Sequence, residues 1–395
     1  MINTTSEMTF RLNNLNEEQR RISYQSSTGK LLDNGSDDAK IFSREVYIED
    51  KINVFEGLQR QVEKTTAQNN VSDSTMKEVK NVITYIKAEV IKGLNATSDD
   101  TSRESIATNL EGVKKNLFAL ANEEVEGEYL FAGADSTVKP FSMDSSGVVT
   151  YNGDGHLRRV AVEEGEYRDR GISGFDAMMY TTDRAFNGEQ LTFSGDPTDP
   201  YRERIIDQDG NEWKLSITNS PSAGDGVLTK YDDENNATTD TLAVTQTAAA
   251  TATTPAQYQT AALSTSGQVL EARHNIFDTI DRTINALRNR ESDGSPAADA
   301  ATARALLAAE LDNITTAFDG ANVGHAKLGG RNQVFETSLD RLGAKVTQFT
   351  LLQQEVSSAD LAKVAIEAKS LEITYQALYS TVNKMNQLSL VNFVR

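Results

Sequence analysis

From Leu361 to Met385 the apolar residues fall on one line of a helix. Leu361, Val364, Ala368, Leu371, Tyr375, Leu378, Val382 and Met385 recur at alternating spacings of three and four. So narrow a stripe is the seam of a coiled coil, because a helix docked on a globular core shows a wider apolar face. Near the other end Thr5, Met8, Leu12, Leu15, Gln19 and Ile22 repeat the spacing. The two seams predict terminal helices able to pair, which makes everything between them an insertion. Thr5 and Gln19 weaken the first seam, and one thin stripe buries too little to order about 25 residues. The expectation is that neither end becomes helical until a further partner covers it, mutual pairing being insufficient.

Between the seams the period changes twice. Gly29 reads as a helix stop, Asn34-Gly35 as a turn, and Ser36 followed by Asp37 and Asp38 as the start of a second helix. Ile41, Ile48, Ile52, Phe55 and Val62 then mark one helix face. Thr65 to Thr75 is polar and weakens that face, and Met76, Val79, Ile83, Ile86 and Val90 resume it. A break near Asn95 to Thr101 precedes a third helix with Ile106, Leu110, Val113, Leu117 and Leu120. From Gly127 the helical period is lost. Val148 to Val162 reads as a hairpin turning at Asn152-Gly153-Asp154-Gly155, and Leu191 with Phe193, and Trp213, Leu215 and Ile217 after Asp209-Gly210, read as strands. Thr241 to Ser266 has no charge and 16 Ala or Thr among its 26 residues, the composition of a loosely ordered linker. Helical spacing returns at Val269, Ile276, Ile280 and Leu287, again at Leu307, Leu311, Ile314 and Phe318, and Leu342, Val346 and Phe349 run on into the terminal seam.

The pattern predicts a mainly α fold with a β-rich insertion, an elongated helical rod built from both chain ends and carrying a β domain at its tip. Its parts would be 1–40 with 356–395 as a terminal coiled-coil assembly domain, 41–140 with 267–355 as a helical rod, and 141–266 as an outer β domain ending in the Ala/Thr linker. Cutting Met143 to Leu263 is expected to spare the rest.

Composition narrows the partners. The net charge of −19 over 395 residues argues against nucleic acid, which needs clustered Lys and Arg. No run of 18 apolar residues and no basic-apolar leader is present, so neither a membrane span nor a cleaved signal peptide is expected. Cysteine is absent, and with it any disulfide or thiolate site. The segment 361–395 carries four Lys or Arg against two Glu, a slightly basic strip on an acidic chain.

Candidate chemistry is sparse. Gly29-Lys30 is not a phosphate loop, since Tyr24 stands where the first glycine is required. His156, His274 and His325 have no second ligand at helical spacing, and Glu163, Glu164 and Glu166 read as a solvated turn. Asp207-Gln208-Asp209-Gly210 lacks the spacing and closing Glu of a calcium loop. No catalytic residue, metal or cofactor is expected.

The mirrored seams around Ser27-Thr28-Gly29-Lys30 and Ser36-Asp37-Asp38 resemble the bacterial flagellin family. Gly127-Glu128-Tyr129-Leu130-Phe131-Ala132-Gly133, Pro140-Phe141 and Tyr151-Asn152-Gly153-Asp154 are similar to its hook-filament junction branch. Ala39 stands where that family usually has proline after the paired aspartates. The resemblance implies a homo-oligomeric ring at the distal end of the hook, contacting another hook-associated protein and flagellin. It also implies export through the flagellar channel to an extracellular position, a cytoplasmic chaperone over the C-terminal helix beforehand, and no membrane partner. The seam residues Met8, Leu12, Leu15, Ile22, Leu361, Val364, Leu371, Tyr375, Leu378, Val382 and Met385 would be the assembly site. A filament subunit of the same family, or a secreted coiled-coil adhesin or translocator, are the alternatives.

Overall fold

Helix α1 (Ile2–Thr28) stops where the sequence placed its stop. Gly29 adopts φ +68° and its N–H bonds the Gln25 carbonyl at 2.9 Å, a left-handed cap that glycine makes at no steric cost. The computed structural model describes residues 2–95, 99–195, 202–217, 225–232, 234–251, 255–292 and 294–393, with side chains at the two ends described from 6 to 384. Helix α2 (Ala39–Leu94) is capped by Asp38 rather than Ser36, as the Asp38 carboxylate accepts from the N–H of Lys40 at 3.0 Å and Ile41 at 3.1 Å. Asp37 instead holds the turn by accepting from the N–H of Asn34. After the expected break, of which residues 96–98 lie outside the described residues, α3 (Asp100–Ala121) starts at an Asp99 cap.

The chain forms two compact units, Met1–Arg60 with Leu339–Arg395, and Gln61–Ser338. In the second, α2 and α3 pack with α5 (Ile276–Leu287) and α6 (Ala300–Ser357) over a core that includes Ile83, Leu110, Phe277, Ile280 and Ile314. The apolar spacing read from the sequence is the buried face. One face of the polar stretch Thr65 to Thr75 is buried as well, which the sequence did not announce. Thr65, Gln68, Asn69, Ser72 and Thr75 are all at most 5% exposed. The three hydroxyls are accommodated because each donates to the carbonyl four residues back, at 2.9, 3.1 and 2.9 Å.

Two short hairpins follow, β1 (Glu124–Val125) with β2 (Glu128–Tyr129) and β3 (Phe141–Met143) with β4 (Val149–Tyr151). The expected hairpin across 148–162 does not form. Strand β4 pairs back to β3, and β5 (Arg159–Glu163) pairs forward to β6 (Glu166–Asp169), at whose turn Glu163, Glu164 and Glu166 sit. Asn152 to Gly155 is a clasp instead. The Tyr151 hydroxyl lies 3.0 Å from the Phe131 carbonyl and 2.8 Å from that of Asp154, while the Asp154 carboxylate accepts from the N–H of Ala134 and His156. Gly133, at φ +100°, has no room for a Cβ against Asp154. Two of the motifs that carried the resemblance, Gly127 to Gly133 and Tyr151 to Asp154, are thus one packed core feature.

After α4 (Gly174–Met178), an eight-stranded antiparallel sheet runs in the order β7 (Met179–Ala185), β14 (Leu270–Asn275), β9 (Arg204–Asp207), β10 (Glu212–Ile217), β11 (Asp225–Tyr231), β12 (Ala237–Ala248), β13 (Gln257–Thr260) and β8 (Thr192–Ser194). The Ala/Thr stretch is not a loose linker, for it supplies part of β12 and all of β13. β-Branched threonines suit a pleated backbone, and Val244 points inward between exposed neighbours. Val269 precedes a strand rather than joining a helix, and α5 starts at Ile276 on an Asn275 cap. The Asp207 carboxylate is taken by its own turn, accepting from the N–H of Asp209 and Asn211 and pairing with Lys230 at 3.1 Å.

The expected cut from Met143 to Leu263 would destroy the helical core, because Tyr151, Phe175 and Tyr180 belong to it. A separate cluster around Leu191, Trp213, Leu228 and Tyr258 fills the sheet. Ala185 lies opposite Leu270, so the polypeptide enters and leaves this sheet on adjacent strands. Replacing Phe186–Val269 by Asn-Gly, a two-residue hairpin turn, is expected to leave the α2, α3, α5 and α6 core folded. Cooperative helical unfolding by circular dichroism checks it.

Glu310 is 5% exposed, and Asn313 donates to it at 3.1 Å. Burial raises its pKa, and the charge of Arg282 and the Asn313 hydrogen bond offset this only in part. A carboxyl whose folded pKa is raised contributes stability that is full below the unfolded pKa and lost as pH rises through the folded one. Glu310→Gln is neutral throughout, so its melting temperature is expected to exceed the parent's at pH 7 to 8, with the gap closing toward pH 4. A constant gap across that range would show that burial of the charge is not the cause.

Candidate assembly site at the paired chain ends

Helix α7 (Leu361–Phe393) is separated from α6 by a short break, so the seam does not run on unbroken from Phe349. Asp360 caps the new helix by accepting from the N–H of Ala362 and Lys363 at 3.0 and 3.1 Å. Helices α1 and α7 pair antiparallel. The direction follows from three contacts in step: Lys30 bridges Ser358, Arg21 meets Glu367 at 3.1 Å, and the Tyr375 hydroxyl donates to Asn16 at 2.7 Å. Backbone bonds from Ala359 N–H to Gly29 at 2.8 Å and Leu31 N–H to Ser357 at 2.7 Å pin the closed end. Nearby, Phe55 and Phe349 meet edge to face at 5.4 Å.

The pairing brings most of the seam together. Ile22, Val364 and Leu371 are buried, with Leu15, Ala368 and Tyr375 packed against them. Met8, Leu12, Leu378 and Val382 are half-buried and Gln19 is exposed. Leu361 stands outside the contact at 56% exposed, because Ala359, ahead of the cap, takes the inward place. The side chains of Thr5 and Met385 lie outside the described residues. The expectation that neither end becomes helical until a further partner covers it concerns the free monomer in solution, where amide exchange over both ends tests it. In the structure both are helical and packed on each other.

Sequence reading missed a second face. Ile366 and Ile373, seven residues apart and off the seam, are 71% and 59% exposed on the side of α7 away from α1. The signal was present as two large β-branched residues at i and i+7 on a face that solvent alone would favour as charged. Between α1 and α7 an open groove of about 550 Å³ is lined by Met8, Leu15, Ala377 and Leu378 together with the polar Asn14, Thr374 and Thr381 and the ion pair of Glu7 with Arg11. Charge is divided unevenly. The unit holding these helices has 14 Lys and Arg against 15 Asp and Glu, so nearly all of the −19 belongs to Gln61–Ser338.

Residues 2–136 match the family model of the bacterial flagellin N-terminal helical region. Flagellar hook-associated protein 3 of Salmonella typhimurium is 30% identical over 139 residues, 34% of this chain and 43% of that protein. Its Escherichia coli counterpart is 31% identical over 134 residues, 33% and 42% of the two chains. The chain thus spans less than half the length of the curated relatives it matches. In fold, a flagellar hook-associated protein-3 from Legionella pneumophila superposes with a TM-score of 0.50 at 18% identity, covering 78% of this chain and 98% of that one. A Vibrio parahaemolyticus structure described as a flagellar hook-associated protein gives 0.51 at 12%, covering 82% and 100%. At those identities the likeness concerns the fold.

Leu371→Asp would place an unpaired carboxylate in the α1–α7 contact at a cost of several kcal/mol. Amide exchange in both terminal helices is expected to accelerate together while α2 and α6 keep their protection. Leu378→Asp, at the groove wall, should do less, and Gln376→Asp, exposed, almost nothing. Equal effects from all three would contradict a single seam.

Proposed function

We propose that this chain is a structural subunit of the bacterial flagellum, forming the junction between hook and filament on which flagellin polymerises. The observation that carries the reading is the pairing of the two chain ends into one helical element with apolar surface left over, in a chain whose first third matches the flagellin helical region. In this reading 1–40 with 356–395 is the assembly domain, 41–140 with 267–355 the rod and 141–266 the outer β domain, whose first part, with Tyr151, Phe175 and Tyr180, packs into the rod's core. The seam from Met8 to Ile22 and from Val364 to Val382 builds the platform through which copies associate. Copies form a ring and contact another hook-associated protein on one side and flagellin on the other. The chain leaves the cell through the flagellar channel and works outside it. Before export a chaperone covers the C-terminal helix, whose outward isoleucines are too apolar to leave in water. The role is mechanical and uses no catalytic group, metal or cofactor.

A filament subunit is the second reading, favoured by the same flagellin-type helical region. Electron microscopy of cells lacking the chain separates the two. Hooks without filaments, with flagellin shed into the medium, are expected for the junction. Filaments of ordinary length would overturn that role, and bare hooks without shed flagellin would move it to the filament. In the same cells, the version with Phe186–Val269 replaced by Asn-Gly should restore filaments. Failure of this folded, secreted version would give the outer sheet a contact role.

A further inference from the structure

The eight-stranded sheet has two edge strands, β7 and β8, and it curls until they lie beside each other. No ladder joins them among the described residues. An antiparallel strand turns alternate residues toward its two sides. In β8 the bonds show which residues face β13: the Leu191 carbonyl accepts from the N–H of Thr260 at 2.9 Å, and the N–H just past β8, of Gly195, donates to Ala256 at 3.0 Å. Phe193, opposite Tyr258, belongs to the same set. Thr192 and Ser194 therefore turn their backbone groups to the open side.

Both of these N–H groups end on carboxylates. Thr192 donates to Asp183 at 2.7 Å and Ser194 to Glu203 at 2.6 Å, while the Ser194 carbonyl accepts from the N–H of Glu203 at 3.0 Å. Asp183 belongs to β7 and Glu203 stands just before β9. We propose that the two carboxylates act as a stop: they occupy the hydrogen-bonding places that a further strand would need, and so keep β8 from pairing with β8 of a second copy.

Three observations support it. First, the edge is otherwise ready, since unpaired N–H and C=O groups on a fixed strand are a template for another chain. Leu191 and Phe193 are buried and the Phe193 ring stacks on Tyr258 at 5.6 Å, which holds β8 in place. Second, β8 fits itself. Thr192 and Ser194 flank Phe193, so an antiparallel copy centred there sets each against the other, a self-complementary pairing. Third, Glu203 is kept where its charge is costly. Burial raises its pKa, and hydrogen bonds from Thr182 and Ser194 with the charge of Arg282 work against that rise. Its carboxylate thus reaches Thr182 on β7 and Ser194 on β8, spanning the gap between the edges. Backbone bonds to a carboxylate are stronger than those to a carbonyl, so an incoming strand does not displace them.

The test compares three full-length chains: the parent, Asp183→Ala with Glu203→Ala, and Asp183→Asn with Glu203→Gln, which keeps an oxygen at each N–H. Amide exchange is read at Thr192 and Ser194 in dilute and concentrated protein, where association elsewhere in the chain does not register. The parent and the Asn/Gln chain are expected to exchange slowly and alike at both concentrations. In the dilute alanine chain the two amides should exchange roughly tenfold faster or more, the loss of one charge-assisted bond each. Protection should return on concentrating it, with the β13 amides slow throughout. The proposal falls if the two amides stay fast in the concentrated alanine chain, or are as slow as the parent's in the dilute one. It falls too if the Asn/Gln chain behaves like the alanine chain. Should the two alanines unfold the sheet, Asp183→Ala alone, at a half-buried side chain, is read at Thr192 in the same way. Loss of β13 protection there as well would make the carboxylates supports of the sheet rather than a stop.

Discussion

The interaction on which this architecture depends is the α1–α7 seam, a contact between residues near the two ends of the chain. Ile22 lies against Val364 and Leu371 only because the chain returns after more than 300 residues, and a loop that long is entropically costly to close. Closure is made affordable locally. The antiparallel Lys30–Ser358 bridge, the Gly29 and Ser357 carbonyl bonds, and the Phe55–Phe349 ring pair hold the base of the two helices. Once the base is fixed, each further seam contact forms between neighbours rather than between distant ends. The seam remains thin, with Ile22, Ala359, Val364 and Leu371 its buried apolar residues among those described. It therefore belongs to the low-stability end of the molecule, where binding of another surface has most to contribute.

The unit Gln61–Ser338 is built differently. Its core mixes large apolar side chains with a buried polar band on α2, where Gln68 and Arg170 join Glu128, and with a Lys114–Asp281 ion pair at 2.6 Å between α3 and α5. Removing one member of such a set leaves its partner charged and dry, so these groups fix which helix faces meet rather than adding much net stability. Asp176 shows the same principle. Burial pushes its pKa up, but Lys327 at 2.9 Å and Arg273 at 3.4 Å hold the carboxyl below its usual range, tying α4 to β14 and α6. Gly320 and Gly324 on α6 permit that approach, since a Cβ at either would meet the backbone of β7 or α4.

Charge divides between the two units, whereas exposed apolar residues occur in both, Ile91 and Val323 among them. The surplus of acid lies in the unit that contains the antiparallel sheet, and the near-neutral unit contains Ile366 and Ile373.

The sequence by itself determined the helices and their buried faces. A three-four spacing can be satisfied only by a helix with one covered side, so Ile83, Leu110, Leu117, Ile280, Ile314, Val364 and Leu371 were readable as core. Gly29 as a stop and Asp209-Gly210 as a hairpin turn were readable for the same local reason. What the tertiary structure decided was partnership. Periodicity says that a seam must be covered but not by which helix, and so left open that the two ends cover each other. Strand pairing across 141–169 went to β3–β4 and β5–β6 because Tyr151 and Asp154 are held by the 131–134 backbone, a contact that no local signal encodes. The Ala/Thr stretch and the Thr65–Thr75 band were misread together. The first is ordered by its strand ladder while staying largely exposed, and the second is buried on one face because its hydroxyls bond the carbonyls of the preceding turn and Gln68 meets Glu128 and Arg170.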